Sequence, residues 1–275
     1  MLQLLSPAGC PEAVIAAVQG GADIVYMGFG VSDHGQHEKG FSPEELGQCL
    51  RYCRIRGCQA VVALGELCTD DGIKTAVDRA IFAARQGADA LLVQDIGLIS
   101  VLRRVLPDMP LWGGVRMDIH NLDGALAAAA MGISRIMLAP ELSYEQIAVI
   151  ADKTPVDIAV CVHGPLCFSH MGQCYMSALE DEQCSDSALR CSEPCRQRLS
   201  LGGRMDDYPM SMADIYLMEH LEELEKAGVT CAVIGGRSRA PEYVSYVTRL
   251  YARAIREKAL PTQEEQARLE ELFAP

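Results

Sequence analysis

Residues 73–94 read IKTAVDRAIFAARQGADALLVQ, and this stretch holds the unit from which the chain is built. Ile73–Gln86 has the apolar spacing of an amphipathic helix, and Ala90–Gln94 is an apolar run of strand length. Between them stands Gly87-Ala88, a helix-ending glycine. The same device recurs at Gly21-Ala22 and Gly228-Val229. Working outward, strands are predicted at Leu2–Leu5, Ile24–Met27, Gln59–Leu64, Ala90–Gln94, Leu111–Val115, Arg135–Leu138, Asp157–Val162 and Cys231–Ile234. Helices are predicted at Pro11–Gln19, Pro43–Arg56, Ile73–Gln86, Leu98–Leu106, Leu122–Met131, Tyr144–Ala151, Met212–Ala227 and Pro241–Ala259, with a polar helix at Thr262–Leu272. Several strands are apolar throughout, as parallel strands covered on both faces are. Eight β/α units predict an α/β fold, a (β/α)8 TIM-like barrel forming one domain over 1–275. The alternative, an open doubly wound sheet, lacks its glycine-rich phosphate loop after the first strand.

One unit breaks the rhythm. About fifty residues separate the seventh strand from its helix, where unstructured connections rarely exceed about 15. This insertion, 164–210, leaves the carboxyl end of a barrel strand, the face on which barrel active sites lie. It reads HGPLCFSHMGQCYMS, then ALEDEQCSDSALR, then CSEPCR. Cys167 and Cys174 have six residues between them, and Cys191 and Cys195 have three. Thiols set among Gly, Pro, Ser, His and charge have little apolar core to fill. Four converging thiolates suit an iron–sulfur cluster or a tetrahedral zinc. Arg190, Arg196 and Arg198 flank the second pair and can donate to sulfur. Cys184 reads as a spare thiol in an acidic flap, Glu180–Asp186, and His170 as an alternative ligand. Cys49, Cys53 and Cys58 have ligand-like spacing, but Cys49 and Cys53 lie one helical turn apart and read as core.

The chain is 49% hydrophobic with a net charge of −13, so it can bury a large core but shows no overall basic face for nucleic acid. No run approaches the roughly 18 apolar residues of a membrane span, and the start, MLQLLSPAGC, is not a secretory signal. A reducing cytoplasm is expected, where clustered cysteines favour metals over disulfides.

HGPLCFSHMGQCYMS followed by CSEPCR resembles the signature of the collagenase-like peptidase family, U32. LLSPAG with GADIVYMG near the start and GGRSRAPEYVSYVTRLYARAI near the end extend the likeness over nearly the whole chain. The resemblance implies a barrel with an inserted cysteine loop. It also implies oxygen-independent hydroxylation of transfer RNA, ribosomal RNA or the ubiquinone ring. That chemistry uses a 4Fe–4S cluster, with prephenate as oxygen source in the RNA-modifying branches. Zinc is the alternative metal. This chain departs from the family pattern at Gln3, Ala159 and Gly235, where glutamates are usual. It departs again at Lys39-Gly40-Phe41, Gly114-Val115-Arg116 and Val233.

The expected metal ligands are therefore Cys167, Cys174, Cys191 and Cys195. His163, which the motif carries just beyond the seventh strand, is the expected catalytic group, with a near-neutral pKa suited to proton transfer; its other role is to anchor the loop to the rim. Arg116 and Arg237 at the barrel mouth point to a small anionic substrate, with Tyr26 and Tyr175 lining the pocket. Three functions are compatible: a hydroxylating iron–sulfur enzyme, a cysteine- or metal-dependent peptidase, and an accessory subunit that serves a paralogous protein partner. The peptidase reading finds no Gly-x-Ser-x-Gly elbow and no His-Glu-x-x-His zinc helix.

Overall fold

A computed structural model describes residues 1–30, 40–64, 67–177, 191, 193–201, 204–206 and 208–272. Six β/α repeats and a seventh strand come first: β1 Gln3–Ala8, α1 Pro11–Gly20, β2 Ile24–Gly28, α2 Pro43–Ile55, β3 Gln59–Leu64, α3 Asp70–Gln86, β4 Ala90–Val93, α4 Ile96–Val105, β5 Leu111–Gly113, α5 Leu122–Ala130, β6 Ile133–Met137, α6 Tyr144–Lys153 and β7 Asp157–Pro165. The chain continues through a hairpin, β8 Leu199–Leu201 and β9 Arg204–Asp206, then β10 Asp214–Tyr216, α7 Leu221–Lys226, β11 Cys231–Ile234, α8 Pro241–Glu257 and α9 Gln263–Leu272. β7, β11 and β1 to β6 pair in parallel in that order, and β6–β7 pairing closes the ring. The expected eight-stranded TIM barrel is the observed fold.

Local chemistry explains the repeats. Gly21, Gly87 and Gly228 adopt φ of 96°, 90° and 96°, which end α1, α3 and the turn after α7. Asp23 and Asp89 follow two of these glycines, and each carboxylate accepts from the backbone N–H of a neighbouring strand, Leu4 at 2.8 Å and Ala60 at 2.7 Å. Helix starts carry side-chain caps at Ser42, Thr69, Asp95, Asn121 and Ser143. Apolar residues form two bodies, a shell between strands and helices and a small cluster inside the barrel that includes Leu5, Ile24, Val61, Trp112 and Cys231. Cys49, Cys53 and Cys58 are buried in the outer shell, as expected of core thiols.

One predicted element is corrected. The helix expected over Met212–Ala227 begins only at Leu221, because Asp214–Tyr216 instead pairs antiparallel with Pro165–His163. The apolar spacing there fits a helix, but a vacant edge on β7 offers those backbone groups a partner. In addition, β5 stops at Gly113, and Val115–Met117 form a 3-10 turn that carries Arg116. Cys184, Arg190, Lys39 and the segment 180–186 lie outside the described residues.

The amino end of the barrel is plugged by Arg135. Its guanidinium donates to Gln3 Oε1 at 2.6 Å and Asp157 Oδ2 at 2.8 Å and lies 4.3 Å from the centre of the Trp112 ring. Gln3 thus belongs to the barrel floor, at the end opposite the cysteine loop. Removing one partner of a buried ion pair costs roughly 3–5 kcal/mol, and solvent at Asp157, whose side chain is 48% exposed, brings the expected loss to about 2 kcal/mol. Arg135→Ala should lower stability by that amount in urea unfolding followed by fluorescence of Trp112, the only tryptophan. An unchanged midpoint would show that the plug adds no stability.

Candidate functional site

At the carboxyl end of the barrel the strand termini and the insertion enclose a cavity. Tyr26, Ala63, Leu92, Gln94, Met137, Cys161 and Val233 form its floor and wall. Cys167, Cys191, Cys195, Arg116, Arg196 and Arg237 lie around its mouth. An adjoining recess is lined by Cys167, Cys174, Cys191, Arg116, Gln94 and His170. All four predicted cysteine ligands therefore border one continuous region, with Cys167 and Cys191 on both sides of it.

The local fold puts them there. Gly164, at φ +117, brings the exit of β7 against Gly235, where any Cβ on Gly164 would sit 2.9 Å from the Gly235 Cα. The loop holding Cys167 and Cys174 then crosses the backbone of Arg116 at Gly172, whose φ is +84 and whose Cβ would lie 2.9 Å from the Arg116 carbonyl oxygen. Two clips hold this loop: Met171 N donates to Glu141 Oε1 at 2.8 Å, and Gln173 Nε2 donates to Asp118 Oδ2 at 3.0 Å. The second cysteine pair is tied by Arg196, which donates to the Leu166 carbonyl at 3.2 Å and to Ser211 at 3.3 Å and pairs with Asp214 at 3.8 Å. Asp214 is also 3.9 Å from Arg239; burial raises its pKa and the two arginines oppose the rise.

Electrostatics distinguish the thiols. Burial pushes Cys167 up to about 11, the neighbouring thiols of Cys191, Cys195 and Cys174 add to this, and Arg116 opposes it. Burial and Cys191 likewise raise Cys195, with Arg196 opposing. The four sulfurs are thus close enough to feel one another. Among the described residues, however, no three of them lie within 4.8 Å of one another. Cys231 is buried on the far side of the interior, paired with Gln3 and Ala159, and burial takes it to about 12. No disulfide joins any of these cysteines. The donor set fits a thiolate-bound metal group: four thiols on one cavity with two arginines set to favour their ionised form.

The other predicted residues divide. Arg116, Arg237 and Tyr26 line the cavity, and Arg237 is buried with its guanidinium against Gly28, where a Cβ would lie 2.8 Å from Nη1. Tyr175 is 66% exposed and lies outside the cavity lining. His163 is fully buried behind the wall; its Nδ1 is 3.1 Å from the Tyr251 hydroxyl, which donates to the Val162 carbonyl, and its ring packs among Tyr216, Tyr243 and Tyr251. A register shift between β7 and β11 at Val233 and Ile234 accompanies this placement. The position matches the anchoring role, because β10 and α8 both pack on this ring. Gln94, buried and shared by both parts of the cavity, had no motif to mark it; its place at the end of β4 was the available signal.

Comparison with known proteins agrees with the fold. Residues 9–274 match the family profile described as peptidase family U32. A 23S rRNA 5-hydroxycytidine synthase of Escherichia coli is 31% identical over 100% of this chain and 43% of its own length. A collagenase of Porphyromonas gingivalis is 28% identical over 96% of this chain and 68% of its own. The tRNA hydroxylation protein P of Escherichia coli is 25% identical over 94% and 68%. This chain thus spans less than half of the synthase and about two thirds of the other two. The solved structure of the U32 peptidase Mk0906 superposes with a TM-score of 0.59 at 17% identity, covering 86% of this chain and 94% of that one.

The burial of His163 has a pH consequence. It lowers the imidazole from 6.5 to about 3. Between those values the unfolded chain takes up a proton that the folded chain refuses, so stability is complete above about 6.5 and falls as pH drops toward 3. His163→Gln should lose less melting temperature than wild type between pH 7 and pH 4, measured by thermal unfolding. Equal losses in the two proteins would mean that His163 is protonated in the fold.

Proposed function

The chain belongs to peptidase family U32, and from the four thiols gathered on one arginine-flanked cavity we propose that it holds a 4Fe–4S cluster and serves oxygen-independent hydroxylation. The expected substrate is an RNA base or a small anionic aromatic compound, and prephenate is the proposed oxygen source. Relatives named for RNA hydroxylation support the reaction class. That no three of the four described thiols lie within 4.8 Å of one another supports a cluster over zinc. One tetrahedral zinc with bonds of about 2.3 Å needs its sulfurs roughly 3.8 Å apart, whereas a cluster binds each thiolate to a different iron. When bound, the cluster supplies redox or Lewis-acid chemistry at the mouth.

The chain's own groups have assigned parts. Cys167, Cys174, Cys191 and Cys195 hold the metal group, while Arg116 and Arg196 balance its negative charge. Arg237 and Arg116 receive the anion, and Tyr26 and Gln94 shape the pocket beneath it. His163 fixes the loop exit. No membrane-crossing helix occurs among the described residues, and a reducing compartment such as the cytoplasm keeps the thiols available. RNA remains the less favoured partner at a net charge of −13.

A second reading follows from one observation. Ala159 is buried carbon inside the barrel and Gly235 adds only backbone to the wall, so neither supplies an acid for proton transfer. A subunit whose cluster is structural, or passes electrons to a paralogous partner, needs none. The peptidase reading is weaker, because a thiol near 11 with His163 behind the wall lacks the base that would activate it.

Protein prepared without oxygen should be brown, with iron and acid-labile sulfide in comparable amounts; a colourless sample with stoichiometric zinc would replace the cluster with zinc. Cys195→Ala should lose most of that iron while Cys231→Ala keeps it. Cys231 pairs with Ala159, six residues before β7 ends at Pro165, roughly 20 Å along the strand. Iron lost from Cys231→Ala alone would move the site. Prephenate should raise the melting temperature of wild type by preferential binding to the folded state, and Arg237→Ala should remove that shift without loss of iron. A full shift in the variant would take Arg237 out of the site.

A further inference from the structure

Three groups beside the cysteine region have no part in the proposed chemistry, and they face one another. His120 follows the turn after β5, Glu141 follows β6, and His170 lies in the loop after β7. Loops from three successive barrel units thus meet at one point. His120 Nε2 is 3.7 Å from Glu141 Oε2, and His170 Nδ1 is 3.7 Å from Glu141 Oε1. One ligand atom from each of the three residues can be chosen so that all lie within 4.8 Å. The two imidazole rings meet edge to face at 5.9 Å.

The arrangement is built rather than loose. Nδ1 of His120 donates to the Asp118 carbonyl at 3.0 Å, and the Asp118 carboxylate is 3.3 Å from the same nitrogen. A carbonyl or carboxylate behind one ring nitrogen is the usual second partner of a metal-bound histidine, and it leaves the other nitrogen with an outward lone pair. That other nitrogen, Nε2, is buried and has no hydrogen-bond partner among the described residues. Glu141 is held by Met171 N and Asp118 by Gln173, so the loop that bears His170 also fixes the other two members.

The spacing argues for an ion at the centre. At 3.7 Å a nitrogen and an oxygen are too far apart for a hydrogen bond. Tetrahedral bonds of about 2.0–2.1 Å place ligand atoms roughly 3.4 Å from one another. The two pairs use different oxygens of Glu141, and with one ligand atom from each residue the three lie within 4.8 Å. Closing on a shared ion therefore takes a contraction of at most about 1.4 Å, at a site where His170 is on a loop and its side chain is 75% exposed. Two imidazoles and one carboxylate select a zinc-type divalent transition ion over magnesium or calcium, which prefer oxygen alone. Three protein ligands also leave a position open to water, as catalytic rather than structural zinc sites do.

We propose that His120, Glu141 and His170 form a mononuclear divalent transition-metal site, separate from the cysteine set. It stands at the rim of the same mouth, since His170 also lines the recess bordered by Cys167 and Cys174. The site does not depend on a cluster at the cysteines.

Cobalt titration of anaerobically prepared protein tests this. One cobalt per chain should bind with visible d–d bands and without the intense near-ultraviolet thiolate-to-cobalt charge transfer that cysteine ligation gives. Zinc should displace it and magnesium at the same concentration should not. His170→Ala, at a side chain 75% exposed, and the near-isosteric Glu141→Gln should each keep the melting temperature and weaken cobalt binding by at least about tenfold. Wild-type affinity in both variants would overturn the site. So would cobalt binding seen only with thiolate charge transfer, which would assign the ion to the cysteines whether or not a cluster is otherwise present.

Discussion

Everything in this molecule depends on how strand β7 shares out its edges. At nine residues it is the longest strand, and it has three neighbours. Its first part, Asp157–Ala159, pairs with β6 and closes the barrel, while Ala159–His163 pairs with β11 along the opposite edge. Once β6 has ended, β10 returns antiparallel and takes Pro165–His163. Backbone groups that would otherwise project unpaired beyond the rim are satisfied by the chain's own return. The barrel wall therefore extends upward on one side only, and the cysteine region is built against that extension.

The two ends of the barrel are opposite in character. At the floor, Arg135 satisfies Gln3 and Asp157 and stacks on Trp112, a closed arrangement around one cation. At the mouth, arginines stand beside thiols that burial holds protonated. A metal group would reverse that state, since thiolates are the ligand form and their negative charge is what Arg116 and Arg196 are placed to meet. The floor is closed around a paired cation, and the mouth sets cations beside thiols held neutral by burial.

The sequence made some of this legible and hid the rest for physical reasons. The barrel could be read because each unit repeats the same local chemistry: an amphipathic helix, a glycine in the left-handed region, an apolar strand. The cysteine set could be read because thiols in a polar loop need a purpose other than packing. Gln3 stands out by sequence only as a departure from the family pattern; its position depends on strand direction in the closed barrel, and it bonds to Arg135 at the floor. For His163 the sequence offers both a proton-transfer group and an anchor for the loop; a register shift and three tyrosines on later elements bury it. The helix expected from Met212 was lost to pairing with a strand nearly fifty residues earlier. His120 and Glu141 left no mark at all, because their meeting with His170 joins three loops that are distant in sequence.

The β7–β10 ladder also determines how the insertion can change. Pro165 and Asp214 are register partners, so the ends of the cysteine-bearing segment are fixed beside each other by backbone hydrogen bonds. With its ends fixed, doubling the length of a flexible connection costs only about 0.6 kcal/mol in closure entropy. A change of chain length between Pro165 and Asp214 is therefore expected to cost the barrel little. In this geometry the length of the insertion and the integrity of the barrel are set separately.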